Sequence, residues 1–315
     1  MLNRDVPPKN IISIFFTEII RINDVAYWSV TALLGFILGI SNLSFNKYFV
    51  PFLGFTISIF CTISFTFSIN NYYDIDSDKN NPRRRNVNAL ALGDVSKMHI
   101  IIINLIFLFI PIITCIFLKD IILIIFCLLL LFMGWAYSAP PLRLKNRPAI
   151  DLIWHFFGFF FYVLWGSLFT GQINYTIWLV AISAGIFSCI FQIYNHILDY
   201  DYDRESGTTT FTVWAGLKTT KTVLNIVAWI HIFVIGSLIV IYSIHYISTI
   251  VIVLSGVGIG IYKSKPKIAS PTKKYSIISF LFFLTISVYI SCTLYHILFI
   301  LNIPFPHVFD FLLIK

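Results

Sequence analysis

The chain has 315 residues, 58% of them hydrophobic and only 11% charged, with a mean hydropathy of +0.87. No soluble domain of this size offers water so little polar surface, so the composition excludes a soluble protein and indicates a polytopic membrane protein. The net charge of +8 is explained by membrane topology and by chemistry on an anion, and calls for no nucleic acid.

Residues 1–24 hold Pro7-Pro8, an apolar stretch from Ile11 to Ile20, and Arg21. They resemble an interfacial helix, without the small-residue cleavage site of a signal peptide. Apolar runs long enough to cross a bilayer follow at roughly 25–45, 48–69, 98–118, 121–136, 150–170, 175–198, 223–243, 247–262 and 275–301. The expected fold is therefore all-α: a single membrane-embedded domain over 1–315, with nine transmembrane helices in a bundle and cytoplasmic Asp-rich loops forming a cap. Gly35-x-x-x-Gly39 and Gly256-x-Gly258-x-Gly260 lie inside spans, where small residues allow close helix packing. Cys61, Cys115, Cys127, Cys189 and Cys292 all lie in apolar runs without C-x-x-C spacing. They read as packing residues.

Nine spans with a cytoplasmic N-terminus put most basic residues on one side. The inside segments carry Arg4, Lys9 and Arg21; Lys79, Arg83, Arg84, Arg85 and Lys97; Arg143, Lys145 and Arg147; Arg204, Lys218 and Lys221; and Lys263, Lys265, Lys267, Lys273 and Lys274. Lys47, Lys119 and Lys315 are the remainder. So lopsided a division follows the positive-inside rule, and places the C-terminus outside the cell membrane.

One pattern occurs twice. Asn70-Asn71-Tyr72-Tyr73-Asp74-Ile75-Asp76-Ser77-Asp78 and Asn195-His196-Ile197-Leu198-Asp199-Tyr200-Asp201-Tyr202-Asp203 both read N-x-x-x-D-x-D-x-D at the end of an apolar run. They mark two halves, approximately 1–148 and 149–315. Six of the chain's 14 acidic residues are in them. On a helix, positions i, i+4 and i+8 share a face, so Asn70, Asp74 and Asp78 form one row and Asn195, Asp199 and Asp203 another. Carboxylates gathered on one face repel unless a cation sits among them. Oxygen ligands of this kind suit magnesium, which shares its shell with substrate phosphates. Both rows fall on the cytoplasmic side, where they would face each other across a diphosphate.

Basic residues flank the rows. Pro82 ends the helix just before Arg83-Arg84-Arg85, and these arginines serve either as topology anchors or to neutralise diphosphate oxygens bidentately. Between spans four and five, Tyr137-Ser138-Ala139-Pro140-Pro141-Leu142-Arg143-Leu144-Lys145 is expected to form a fixed, extended turn that brings Arg143 and Lys145 to the Asp side. Arg21 reads equally as anchor or diphosphate contact. His155 and His231 lie within spans and read as helix–helix hydrogen-bonding groups. His196 points off the Asp face, and Asp151 reads as a helix N-terminal acid.

Together these motifs resemble the UbiA family of intramembrane prenyltransferases. The matching residues are Asn70, Asp74 and Asp78; Tyr137, Ser138, Pro140, Pro141 and Lys145; and Asp199 and Asp203. The chain departs from the family pattern at Asn71, where many members have Asp, and at Val87-Asn88-Ala89-Leu90, where many have Arg-Pro. The resemblance implies magnesium-dependent transfer of a prenyl group from an allylic polyprenyl diphosphate donor to a lipophilic acceptor. Asn70, Asp74, Asp78, Asn195, Asp199 and Asp203 would hold Mg2+. Arg21, Arg84, Arg85, Arg143, Lys145 and Ser138 would hold the diphosphate. Aromatic faces such as Tyr72, Tyr73, Tyr137 and Tyr194 would steady the prenyl cation. The Pro-Pro-x-Arg-x-Lys loop looks more like that of members acting on lipids, carotenoids or chlorophyllide than of those acting on hydroxybenzoate. A terpene cyclase of the same superfamily would use the same rows without an acceptor. A transporter of phosphorylated anions is the rival of a different class, although transporters place charges near the bilayer midplane on broken helices.

The charge division is testable by labelling. In a cysteine-free background, reporter cysteines at Ser77 and Ser206 are expected to resist an impermeant thiol reagent on intact cells, while one at Asn302 reacts. Labelling of Ser77 and Ser206 from opposite faces would contradict the two-row site.

Overall fold

The computed structural model describes residues 10–42, 44–80, 85–241 and 276–301, and all regular structure among them is helical. Ile11–Ile14 is a short helix that continues as a π-turn over Phe15–Ile19. Its outer face is exposed at Ile11 and Ile12, while Glu18, Ile19 and Ile20 dock inward.

Helix α1, Ile22–Gly39, and helix α2, Phe45–Tyr73, form the first pair. The first span ends earlier than hydropathy indicates, because Ser44 closes the connection by capping α2 at the Lys47 N–H. Short helices α3, Ile75–Asn80, and α4, Ala89–Leu92, follow. Ser96 caps α5, Lys97–Phe117. Lys119 then takes a positive φ of 58°, and Asp120 accepts from Ile122 and Leu123 to start α6, Ile121–Ser138. That pair of residues separates two spans that hydropathy alone barely divides.

Helix α7 covers Ile150–Leu168, and α8, Tyr175–Leu198, starts from an Asn174 cap. After α9, Tyr200–Glu205, helix α10 runs Phe211–Ile241. It starts before the expected 223 because helical structure precedes Gly216, whose φ of 80° and ψ of 154° mark a kink that glycine adopts without a Cβ clash. Helix α11 is Ser276–Ile300.

Among the described residues, eight helices are long and apolar enough to cross a membrane: α1, α2, α5, α6, α7, α8, α10 and α11. The expected span 247–262, with its glycine run, lies outside the described residues, as does Arg84.

Helix α7 is central, packing on α1, α6 and α8. It meets α1 backbone to backbone. A Cβ on Gly35 would stand 1.8 Å from the Val163 carbonyl oxygen, and one on Gly166 would stand 1.9 Å from that of Ala32. The Gly35-x-x-x-Gly39 run therefore packs as expected, with Gly39 against Thr170. Trp165 is fully buried beside this contact and donates its Nε1–H to the Leu123 carbonyl at 3.1 Å, so its polar edge is satisfied.

Candidate active site

Both Asp-rich stretches form the same backbone, and neither is a loop. Helix α2 ends at Tyr73, and Asp74 leaves the helical region at φ −103°, ψ 8°. Helix α8 ends at Leu198, and Asp199 does the same at φ −94°, ψ 6°. One i→i−4 hydrogen bond nevertheless reaches each of these Asp residues and another leaves it. Asp74 N–H donates to the Asn70 carbonyl at 3.0 Å and Asp78 N–H to that of Asp74 at 2.8 Å. Asp199 donates to Asn195 at 2.9 Å and Asp203 to Asp199 at 2.8 Å. The Asn-Asp-Asp faces thus survive the breaks. Asp74 and Asp78 are buried, whereas the Asp76 side chain is fully exposed and has Lys79 at 3.8 Å. Asp201 is likewise exposed.

Both rows line one cavity of about 800 Å³. It follows α8 inward from Asp199 to Ala184, about 22 Å at 1.5 Å per residue. The structure brings together there Arg21, Asn70, Asp74, Asp78, Tyr137, Arg143, Lys145, Asn195, Asp199 and Asp203. Arg85 is half-buried outside the lining.

The turn after α6 is tight where an extended one is expected. Pro140-Pro141 is a cis peptide, and Arg143 N–H closes back on the Ala139 carbonyl at 2.8 Å. This turn aims two cations at the first row. Lys145 Nζ donates to Asp74 and, at 3.1 Å, to Asn70 Oδ1, which also accepts from Ser138 Oγ at 2.9 Å. Arg143 Nη2 reaches Asp74 at 3.4 Å, while its Nε is buried without a hydrogen-bond partner. Burial pushes the Lys145 ammonium below the usual lysine range, against the pull of the Asp74 carboxylate. Arg21 pairs with Asp24 at 2.6 Å and lies over the Phe67 ring at 4.7 Å.

An ammonium already seated on Asn70 and Asp74 shows that these oxygens take a cation. Among the described residues, no three His, Cys, Asp or Glu side chains gather closely enough to hold a metal by themselves. The donor set fits a shared metal, with two carboxylates and an amide oxygen per row and the remaining positions left to a ligand's oxygens.

The model of the UbiA prenyltransferase family matches residues 28–287. The chain belongs to the UbiA prenyltransferase family. Its fold is similar to that of a UbiA homologue from Archaeoglobus fulgidus bound to GPP and Mg2+, at 18% identity and a TM-score of 0.64, covering 89% of this chain and 98% of that one. A digeranylgeranylglyceryl phosphate synthase structure matches at 15% identity and a TM-score of 0.65, covering 89% and 97%. A UbiA homologue from Aeropyrum pernix K1 in its apo form matches at 16% and 0.64, covering 86% and 97%. The comparison with curated proteins found no match.

Where this UbiA-family chain departs from the family pattern, the substituted residues brace the first row. Asn88 is fully buried, donates to Asp78 Oδ2 at 2.8 Å and to the Asn71 carbonyl at 3.0 Å, and caps α4 with its own oxygen. Asn71 donates to the Glu18 carbonyl at 2.8 Å, tying the N-terminal segment to α2.

Of the four tyrosines expected near the reacting centre, Tyr137 lines the cavity, whereas Tyr72 packs against the small cluster of Ile19, Ala89, Leu90 and Ile100. The lining takes its other rings from span interiors, among them Trp28, Phe67, Phe159, Tyr162 and Tyr289.

His155 and His231 make helix–helix hydrogen bonds, to Tyr137 at 3.3 Å and to Thr285 at 2.8 Å. Asp151 does not act as a helix-end acid. It is fully buried and accepts from Gln192 at 3.1 Å and from His196 at 3.0 Å, so it is spent on side chains of α8 and leaves the α7 terminus without a side-chain cap.

The different settings of the acids give a direct test. Asp76→Asn is expected to lose at most a few-fold in prenyl-transfer turnover, and Asp78→Asn orders of magnitude, at matched protein levels and saturating magnesium. Equal, severe losses would mean that the exposed acid takes part after all.

Proposed function

We propose that the protein transfers a prenyl group from an allylic polyprenyl diphosphate to a lipophilic acceptor at the cytoplasmic face of the cell membrane, releasing diphosphate. The observation that carries this reading is the single cavity that has both Asn-Asp-Asp rows and two cations at its polar end and an aromatic interior behind them. A ligand with a charged head and a long apolar tail has that shape and polarity.

Asn70, Asp74, Asp78, Asn195, Asp199 and Asp203 would hold magnesium, which supplies charge neutralisation for the departing diphosphate. The UbiA homologue from Archaeoglobus fulgidus has been solved bound to GPP and Mg2+ and bound to DMAPP and Mg2+. Arg143 and Lys145 would turn from Asp74 to the diphosphate oxygens. The buried, unpartnered Nε–H of Arg143 then gains the acceptor it lacks. Arg21 and the Asp24 carboxylate that holds it stand at the same end. Ser138 fixes the Asn70 oxygen. The rings of Tyr137, Trp28 and Phe159 present π-faces to the positive charge that develops on the prenyl carbon.

Because each row is proposed to hold metal, Asp74→Ala, Asp78→Ala, Asp199→Ala or Asp203→Ala is expected to abolish nearly all turnover in protein that still inserts. EDTA is expected to do the same to the wild type. The measurement is the passage of label from geranylgeranyl or farnesyl diphosphate into lipid. Full activity in EDTA would contradict the mechanism, and a labelled hydrocarbon without any acceptor would indicate cyclisation instead.

A further inference from the structure

Prenylation of an O–H or C–H acceptor leaves one proton to be removed, and the Asp rows, already committed to a cation, do not offer a base for it. A separate polar cluster lies one turn deeper. Tyr137 Oη accepts from Gln192 Nε2 at 3.1 Å and stands 3.3 Å from His155 Nε2. Gln192 also donates to Asp151 Oδ2 at 3.1 Å, and His196 Nε2 stands 3.0 Å from the same oxygen. The Asp151 carboxylate is fully buried, and burying a charge in a bundle is costly unless it serves these partners. Tyr137, His155, Gln192 and His196 all line the cavity.

The position of the cluster matters as much as its composition. Tyr137 adjoins Ser138, which bonds Asn70 of the first row. Gln192 lies three residues, under one helical turn, before Asn195 of the second. The cluster therefore stands between the rows on their apolar side, where the first carbon of a donor held by its diphosphate would emerge. The imidazole is held in place by rings: Phe159 stacks on it with 20° between planes, and Trp28 and Tyr137 meet it edge-on.

We propose that His155 is the base that takes the acceptor's proton, with the Tyr137 hydroxyl as relay and Gln192 and Asp151 as positioning residues. This rests on the prenyl-transfer reading above. The donor's C–O bond breaks and its electron pair leaves with the diphosphate. A lone pair or ring π-pair of the acceptor forms the new bond to that carbon. The acceptor's proton passes to Tyr137 Oη as Tyr137 gives its own to the His155 Nε2 lone pair. The imidazolium later releases that proton to water at the cavity mouth. Gln192 N–H, fixed by Asp151, occupies one lone pair of Tyr137 Oη, and with His155 in its Nδ1–H tautomer the Tyr137 hydroxyl donates to Nε2.

The test uses the full chain in membranes supplemented with lipid extract of its source cells, and geranylgeranyl diphosphate labelled in the prenyl group. It counts labelled lipid adduct, prenyl alcohol and released diphosphate. His155→Gln is expected to lose on the order of 100-fold in adduct, while diphosphate release and prenyl alcohol continue, which also shows that the variant is folded. Added imidazole is expected to restore part of the adduct in His155→Ala. Unchanged adduct in His155→Gln, or adduct and diphosphate release falling together without imidazole rescue, would overturn the proposal. If the wild type itself forms no adduct, the prenyl-transfer reading fails first.

Discussion

Carboxylates do not gather at the mouth of an apolar cavity without a cation, and the rest of this site is arranged around that constraint. In the structure the cation at the first row is the Lys145 ammonium, seconded by the Arg143 guanidinium, both delivered by one turn after α6. Two charges taken from water must be compensated by geometry and further hydrogen bonds. Here Asn70, Ser138 and Asn88 supply those bonds. The same arrangement suits turnover: a ligand that brings its own anionic oxygens and metal can take the basic side chains away from Asp74 without leaving a charge stranded.

The two copies of the pattern solve one geometric problem in the same way. Each long helix ends at the residue before its first Asp, and each first Asp both donates and accepts an i→i−4 hydrogen bond, so the second Asp stays on the face of the first. Short helices α3 and α9 thus extend the rows beyond the ends of the spanning helices. The close contact of α1 and α7 at Gly35 and Gly166 packs these two helices tightly, and both contribute side chains to the cavity, α1 through Trp28 and α7 through His155 and Phe159.

The rows were legible in the sequence because their logic is local: a four-residue period needs only helical backbone. The basic turn at Arg143 and Lys145 was legible from its prolines and charges, although the cis bond that tightens it was not. What could not be read was the rotation of each span about its axis. Thirty-two phenylalanines and 16 tyrosines offer no way to tell cavity rings from lipid-facing ones, so nothing in the sequence separates Trp28 and Tyr162, which line the cavity, from Tyr72, which packs away from it. The Asp151 cluster joins residues from α6, α7 and α8 that only tertiary packing brings together. Asn88 looked like a mere departure from a pattern, and its grip on Asp78 became visible only in three dimensions.

The central claim is that both rows share one diphosphate through metal ions. Anomalous diffraction from crystals holding Mn2+ and a non-hydrolysable prenyl diphosphate analogue tests it most directly. The account predicts manganese within about 2.1 Å of carboxylate oxygens from each of the pairs Asp74–Asp78 and Asp199–Asp203, with the diphosphate between them and Lys145 withdrawn from Asp74. Manganese at only one row, or a diphosphate bound away from the other, would contradict it.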